Sequence, residues 1–340
     1  MNALLFAKDL VMGKTASSNA VYYFNRLSAT GKSVYQAMDT GIKSFFPDIN
    51  IPFAPQNEIS KAFDALLWDN PMFFYTSSYT ITSSAQKKLC IFKPNYLFAP
   101  HTAKQYKDRI IQYLQQFNGI QGMADMEKEL YVHDFCLNNF KYDYAFGEHA
   151  YSVLGPVMKG AAVCEGISKF VKLALDHLRV KNIIVHGNAS GPMQGTNSKH
   201  AWNIVKISGQ TFHLDVTFNL SQTTAQNRYD YFNLSDEEIK KDHSFANDFP
   251  KCVTSDMDYY NVHGMTANSP AELGVMIGNN LRQGKKITIV KIKNATDAAN
   301  ILNKVAAVAD KQFRSFSCNQ SIMVEVRYNP VQMVFEVEYT

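Results

Sequence analysis

Apolar residues recur at three- and four-residue steps over several segments of this chain and at two-residue steps over others. The order in which the two kinds follow one another predicts an α+β protein. Residues 15 to 46 read as helical, with Val21, Phe24, Leu27, Val34 and Met38 on part of one apolar face and an interruption near Gly31. Residues 48 to 55 read as a connection. A second helix is expected from Ile59 to Trp68 and ends at Asn70-Pro71, because the residue before a proline is pushed out of the helical region. Met72 to Ser83 and Lys88 to Phe98 alternate and are rich in Tyr, Phe, Thr and Ile, which predicts strands. Their aromatic residues suit a packed core first and the wall of a cleft second. Ala103 to Phe117 and Met123 to Asn139 are expected helices. The second has Leu130, Phe135 and Leu137 as core candidates and His133 as a satisfied or exposed side chain. Lys141 to Gly160 looks irregular and carries Tyr142 and Tyr144 toward the next helix.

The densest pattern lies between Lys159 and Asn219. Ile167, Phe170, Val171, Ala174, Leu175 and Leu178 define one face of an amphipathic helix entered at Cys164. Gly187 to Lys199 reads as a long surface connection or as a loop that moves over a substrate. Ala201 to Ile207 is strand-like, Gly209 marks a turn, and Thr211 to Thr217 reads as the returning strand. His200 opens the first strand and Asp215 lies near the end of the second. The midpoint between them falls one or two residues before the turn, an offset that a bulge or a diagonal contact absorbs. Trp202 is expected on the face away from His200, with packing as its default role.

Beyond Asn219 the chain is polar, and Ser235 begins a short helix. Ala271 to Gln283 (helix), Ile287 to Ile292 (strand), Asp297 to Lys311 (helix), and Ser321 to Tyr328 and Val331 to Tyr339 (strands) form a small α+β module for substrate or partner recognition. Three regions are expected: 1–120, helical and β; 121–250, the core that carries the chemistry; 265–340, the accessory module.

Composition narrows the function. Of 340 residues, 46% are hydrophobic and 19% charged, the balance of a globular protein. The net charge is +4, and basic runs do not exceed pairs such as Lys87-Lys88, Lys240-Lys241 and Lys285-Lys286, so nucleic acid is not an expected partner. No apolar stretch approaches the roughly 20 residues of a membrane span. The opening MNALLFAKDLVMGK is too short in its apolar run for a signal peptide and is broken by Lys8 and Asp9. Five scattered cysteines without CxxC spacing argue against a disulfide framework and a structural zinc site, and point to a reducing, cytoplasmic compartment. No cofactor is implied.

What remains is Cys164, His200 and Asp215. A cysteine in the first turn of a helix meets free amide hydrogens and a dipole that favour a thiolate, although Glu165 opposes it a little. Alone, such a cysteine is read as a small buried residue. With a histidine and an aspartate it suits nucleophilic catalysis: the thiolate attacks a carbonyl, the imidazole holds and returns the proton, and the carboxylate orients the imidazole. A metal site on the three lacks a fourth ligand at recognisable spacing.

The segments GAAVCEG, HAWNIVKISG and FHLDVT together resemble the transglutaminase-like superfamily, a papain-like group of transglutaminases, cysteine peptidases and peptide:N-glycanases. The flanks DMEKELYVHDFCLNNFKYDY and RYDYFNLSDEEIKKDH resemble its bacterial members, so the likeness runs from Asp125 to His243. It implies a core in which a helix carrying the cysteine packs on an antiparallel sheet carrying the histidine and aspartate. It assigns Cys164 as nucleophile, His200 as base and Asp215 as orienting carboxylate. Ile167 stands where relatives often carry an aromatic, and Trp68, the only tryptophan before Cys164, has no assigned role. The implied activity is therefore thiol-dependent acyl transfer on amide bonds of a protein or peptide. A peptidase or amidase comes first, a glutamine transamidase or deamidase second, and a non-catalytic peptide-binding module third. Trp202, Tyr142 and Tyr144 are the candidate substrate-binding residues.

Overall fold

Ser28 divides the first apolar stripe into two helices, α1 (Tyr22–Arg26) and α2 (Ala29–Lys43), by accepting the Gly31 amide at 3.0 Å as an N-cap. The break therefore falls at Ser28 rather than at Gly31. Val34, Met38 and Ile42 are buried, while Val21 stays exposed. The computed structural model describes residues 21–84, 86, 88–191, 195–223, 226–293, 297–316 and 323–340, so the expected helical residues 15–20 and the opening segment lie outside the described residues. The chain divides into two units, Met1–Gly187 with His200–Gln210 and Asn188–Lys199 with Thr211–Thr340.

In the first unit a strand, β1 (Ile49–Pro52), occupies what reads as a connection. Four residues are too few for periodicity to register, and its pairing with β3 decides the conformation. Helix α3 (Gln56–Asp69) follows. Pro71–Phe73 then forms a 3-10 turn where a strand was expected, because Pro71 suits the first turn of a helix. Strands β2 (Thr76–Ser84) and β3 (Leu89–Tyr96) pair antiparallel, giving the sheet order β1-β3-β2. Their aromatics pack: the Tyr79 and Phe92 rings lie 4.7 Å apart, with Phe63 against both. Helices α4 (Pro100–Leu114) and α5 (Asp125–Asn139) lead to the site. The buried stripe of α5 runs through Val132, His133, Cys136 and Leu137, with Leu130 and Phe135 at its edges. Burial pushes the His133 imidazole below its ordinary pKa and keeps it neutral.

Strand β4 (Lys141–Tyr142), helix α6 (Leu154–Lys159) and strand β5 (Ala161–Ala162) precede helix α7 (Cys164–His177), which is followed by neighbouring strands β6 (Lys181–Gly191) and β7 (Gly195–Ile207). The glycine-rich segment is therefore largely strand. Pairing between β6 and β7 overrides the low strand propensity of Gly187, Gly191 and Gly195. Helix α7 is tied to β6 through Asn182, which donates to Asp176 Oδ1 at 3.0 Å, while the buried Lys172 ammonium pairs with Asp176 at 2.9 Å.

After a turn at Ser208 (φ 51°) and Gly209 (φ 88°) comes β8 (Gln210–Leu214), which belongs to the second unit from Thr211 onward. Helix α8 (Val216–Gln222) begins where a strand was expected to run on to Thr217. Asp215 is the reason, since its carboxylate caps the helix at the Phe218 amide. Strand β9 (Phe232–Leu234) pairs antiparallel with β8. Helix α9 (Asp236–Ile239), strand β10 (His243–Phe245) and helix α10 (Tyr259–Val262) follow. The last elements are β11 (Thr266–Ala267), α11 (Pro270–Arg282), β12 (Ile287–Ile292), α12 (Ala298–Phe316), β13 (Val324–Asn329) and β14 (Val334–Tyr339). They form a sheet of order β11-β12-β14-β13 whose core joins Leu273, Ile277, Val290, Val305, Phe335 and Val337.

Buried ion pairs join this sheet to the preceding segment of the same unit. Arg228 grips Asp230 with two hydrogen bonds (3.1 and 2.8 Å) and reaches Glu336, and Lys291 meets Asp258 at 2.6 Å and Glu238 at 2.7 Å. Among the described residues no helix is long and apolar enough to cross a membrane.

Candidate active site

Cys164 is the first residue of α7 and is half-buried, whereas Cys90, Cys136 and Cys252 are buried. The approach to it is held from two sides. Tyr142 lies opposite Ala162 in the β4–β5 pair, and the Val163 amide donates to the Ala150 carbonyl at 3.1 Å. Gly166 is required here. A Cβ at that position would sit 2.3 Å from the Ala150 carbonyl oxygen and 2.8 Å from the Ala162 side chain, so only glycine lets the first turn of α7 come this close to the 150–152 backbone.

The other face of that turn is fastened to β7. The Ser168 hydroxyl, itself buried, lies 2.8 Å from the Cys164 carbonyl and 2.9 Å from the Ala201 carbonyl. Asn203 returns a bond from its amide to the Ser168 carbonyl at 3.2 Å. One serine and one asparagine thus fix the residue after His200 against the turn that begins with Cys164. Neither was singled out from the sequence, although the i+4 spacing of Ser168 from Cys164 and the asparagine of HAWN were the available signals.

His200 is buried and stacks on Trp202, with ring centroids 5.7 Å apart and planes 19° apart. The two rings share one face of β7, not opposite faces as expected from the sequence, because side chains at i and i+2 point the same way in a strand. Trp202 is 1% exposed, so it backs the imidazole. Tyr142 is half-buried, Tyr144 is 64% exposed, and their rings meet edge-on at 5.0 Å beside the β5–Cys164 junction.

Asp215 belongs to the second unit, where it is fully buried. Its Oδ1 accepts the Phe218 amide at 3.0 Å and its Oδ2 lies 3.0 Å from His243 Nε2. His243 Nδ1 meets Asp242 Oδ1 at 2.6 Å, and Asp242 also accepts the Tyr231 hydroxyl at 2.5 Å. Burial works to lower the His243 pKa, but the flanking carboxylates of Asp215 and Asp242 outweigh it and hold the value above 6.5. With an acceptor-only carboxylate at each ring nitrogen, His243 donates from both and carries a positive charge. His243 closes the flank RYDYFNLSDEEIKKDH, but its role was not legible in the sequence, because its spacing from the D-x-T block is uninformative.

Two further groups were not found from the sequence. In the first unit Trp68 stacks on His186, ring centroids 4.0 Å apart. Among the described residues neither nitrogen of His186 has a hydrogen-bond partner, and burial pushes its pKa down to about 4. In the second unit His213, Asp236 and Cys252 bring ligand atoms within 4.8 Å of one another. His213 is already bonded to Asp236 at 2.9 Å, and burial pushes the Cys252 thiol up to about 12.

No family model and no curated protein matches the chain. Among solved structures it is similar to one described as a TGase, at 14% identity and a TM-score of 0.30, over 45% of this chain and 47% of that one. It is also similar to a putative cysteine protease from Cytophaga hutchinsonii, at 14% identity and a TM-score of 0.25, over 42% of this chain and 63% of the other. The chain thus spans about half the length of the first and under two thirds of the second.

Proposed function

We propose that this protein is a thiol-dependent acyl-transfer enzyme acting on amide bonds of a protein or peptide, first of all as a cysteine peptidase or amidase. The observation that carries the reading is the Ser168 hydroxyl, which spans the Cys164 and Ala201 carbonyls and so keeps the nucleophile's turn and the base's strand in one register. In the first step the Cys164 sulfur forms a bond to the amide carbonyl carbon and its proton passes to His200. The carbon–nitrogen bond breaks as His200 protonates the departing amine. Water or a second amine, deprotonated by His200, then attacks the thioester and releases Cys164. The Cys164 amide, in the unpaired first turn of α7, donates to the oxyanion. Asp215, from the D-x-T block, is the orienting carboxylate in this reading, and Tyr142 and Tyr144 wall the approach.

The test is iodoacetamide at neutral pH with peptide mapping of the folded protein. Cys164 is expected to be modified ahead of the buried Cys90, Cys136 and Cys252, and H200A to slow that modification strongly. A folded protein with no Cys164 adduct refutes the reading. Peptides incubated with the protein and a labelled primary amine then separate cleavage, deamidation and amine incorporation by mass.

A further inference from the structure

We propose that a cleft in the second unit, between the end of α11, the start of β12 and the turn after α10, binds an acidic polypeptide segment. Every residue lining it belongs to the second unit, so the proposal stands independently of the Cys164 chemistry. The cleft is open to solvent along one side and has a volume of about 710 Å³, within the size range of ligand sites.

Its charge is one-sided. Lys285 and Lys286 line it, and no lining residue is acidic. Both lysines are exposed, and among the described residues neither is held in an ion pair. The carboxylate nearest in the sheet register, Glu338 opposite Ile287, is already taken by Arg327 at 2.7 Å. The backbone that presents the lysines is fixed. Helix α11 ends at Arg282, Gly284 turns the chain at φ 73°, and the Lys285 amide closes on the Asn280 carbonyl at 2.9 Å. A helix C-terminus accounts for cations at this place. It does not account for the apolar floor formed by Met265, Met276, Ile287 and Ile289 directly beside them.

That floor selects the occupant. A small inorganic anion would use the lysines and leave the methionines and isoleucines wet. A nucleic acid would need a longer basic track than a chain of net charge +4 with only paired lysines supplies. A polypeptide that alternates carboxylates with bulky apolar side chains uses both halves, and methionine walls adapt to varied apolar shapes.

The experiment uses the full chain and a fluorescein-labelled nine-residue peptide of alternating glutamate and leucine, followed by anisotropy, beside its glutamine–leucine counterpart. The glutamate peptide is expected to bind. K285Q/K286Q and the glutamine peptide should each weaken binding by about tenfold, and rising salt should weaken the wild-type complex. A second variant, M276E, places a carboxylate in the cleft and is expected to abolish binding at a temperature where its own melt shows the protein still folded. Equal affinity for the two peptides, wild-type affinity in K285Q/K286Q, or displacement of the peptide by millimolar inorganic phosphate would overturn the proposal.

Discussion

Replacing Asp215 with asparagine tests the buried Asp215–His243 pair through its pH dependence. The side-chain amide of the D215N variant keeps an oxygen for the Phe218 amide hydrogen, so the cap on α8 survives. What is lost is the charge opposite His243. A hydrogen bond to a charged group contributes about 1.5–3 kcal/mol and a neutral one about 0.5–1.5, so the substitution is expected to cost about 1–1.5 kcal/mol. The sign follows from the imidazole. The folded-state pKa of His243 is raised above 6.5, so the stabilisation is fully present below 6.5 and disappears as pH rises through the raised value. The D215N deficit in urea midpoint should therefore be largest below pH 6.5 and shrink as pH rises through the raised His243 value. A deficit that is constant, or that grows with pH, would refute the pairing. Cys164 alkylation in the same samples separates stability from orientation. D215N should slow it, whereas H243Q should lose comparable stability and keep the wild-type alkylation rate. Slowing by H243Q as large as that by D215N would remove the distinction between the two residues.

Three further substitutions have defined outcomes. Ser168→Ala removes the hydroxyl between the Cys164 and Ala201 carbonyls and should cost about 1–3 kcal/mol in a thermal or urea melt, with Cys164 alkylation slowed in the protein that remains folded. Gly166→Ala forces a Cβ against the Ala150 carbonyl at 2.3 Å, and because the obstacle is backbone it should cost several times what an exposed helical Gly→Ala change gains, visible as a large drop in melting temperature. His186→Phe keeps a ring against Trp68 and removes two buried nitrogens without partners, so it should raise stability by about 1–3 kcal/mol at neutral pH. The folded pKa of His186 is depressed to about 4 while the unfolded chain takes up its proton near 6.5. Wild type should therefore lose stability on acidification through that window at up to about 1.4 kcal/mol per pH unit, and H186F should flatten the loss. An unchanged acid limb in H186F would show that the imidazole is not held neutral.

Along the chain, the local pattern determined the elements that have enough length to show a period. The stripe from Ile167 to Leu178 placed α7 and put Cys164 at its start, and the alternation after His200 placed β7, because a helix or strand of that length declares its buried face through spacing alone. The same reading placed α11, β12 and α12 to within a few residues. Where the period was short or the residues permissive, tertiary partners decided. β1 exists because β3 pairs with it, and the glycines of β6 and β7 are extended because each strand supplies the other's hydrogen bonds. Asp215 ended a strand because its side chain caps a helix more favourably than it extends a ladder. The partners of the candidate residues were the least legible of all. Ser168, Asn203, His186 and His243 acquire their roles from atoms that are distant in sequence or brought close only by packing, and no spacing rule encodes a carbonyl 33 residues away. The sequence by itself named chemically capable side chains. The tertiary structure alone decided which hydrogen bonds hold them, which are shut away from water, and which way their pKa values move, because burial and approach distance are properties of packing and not of order along the chain.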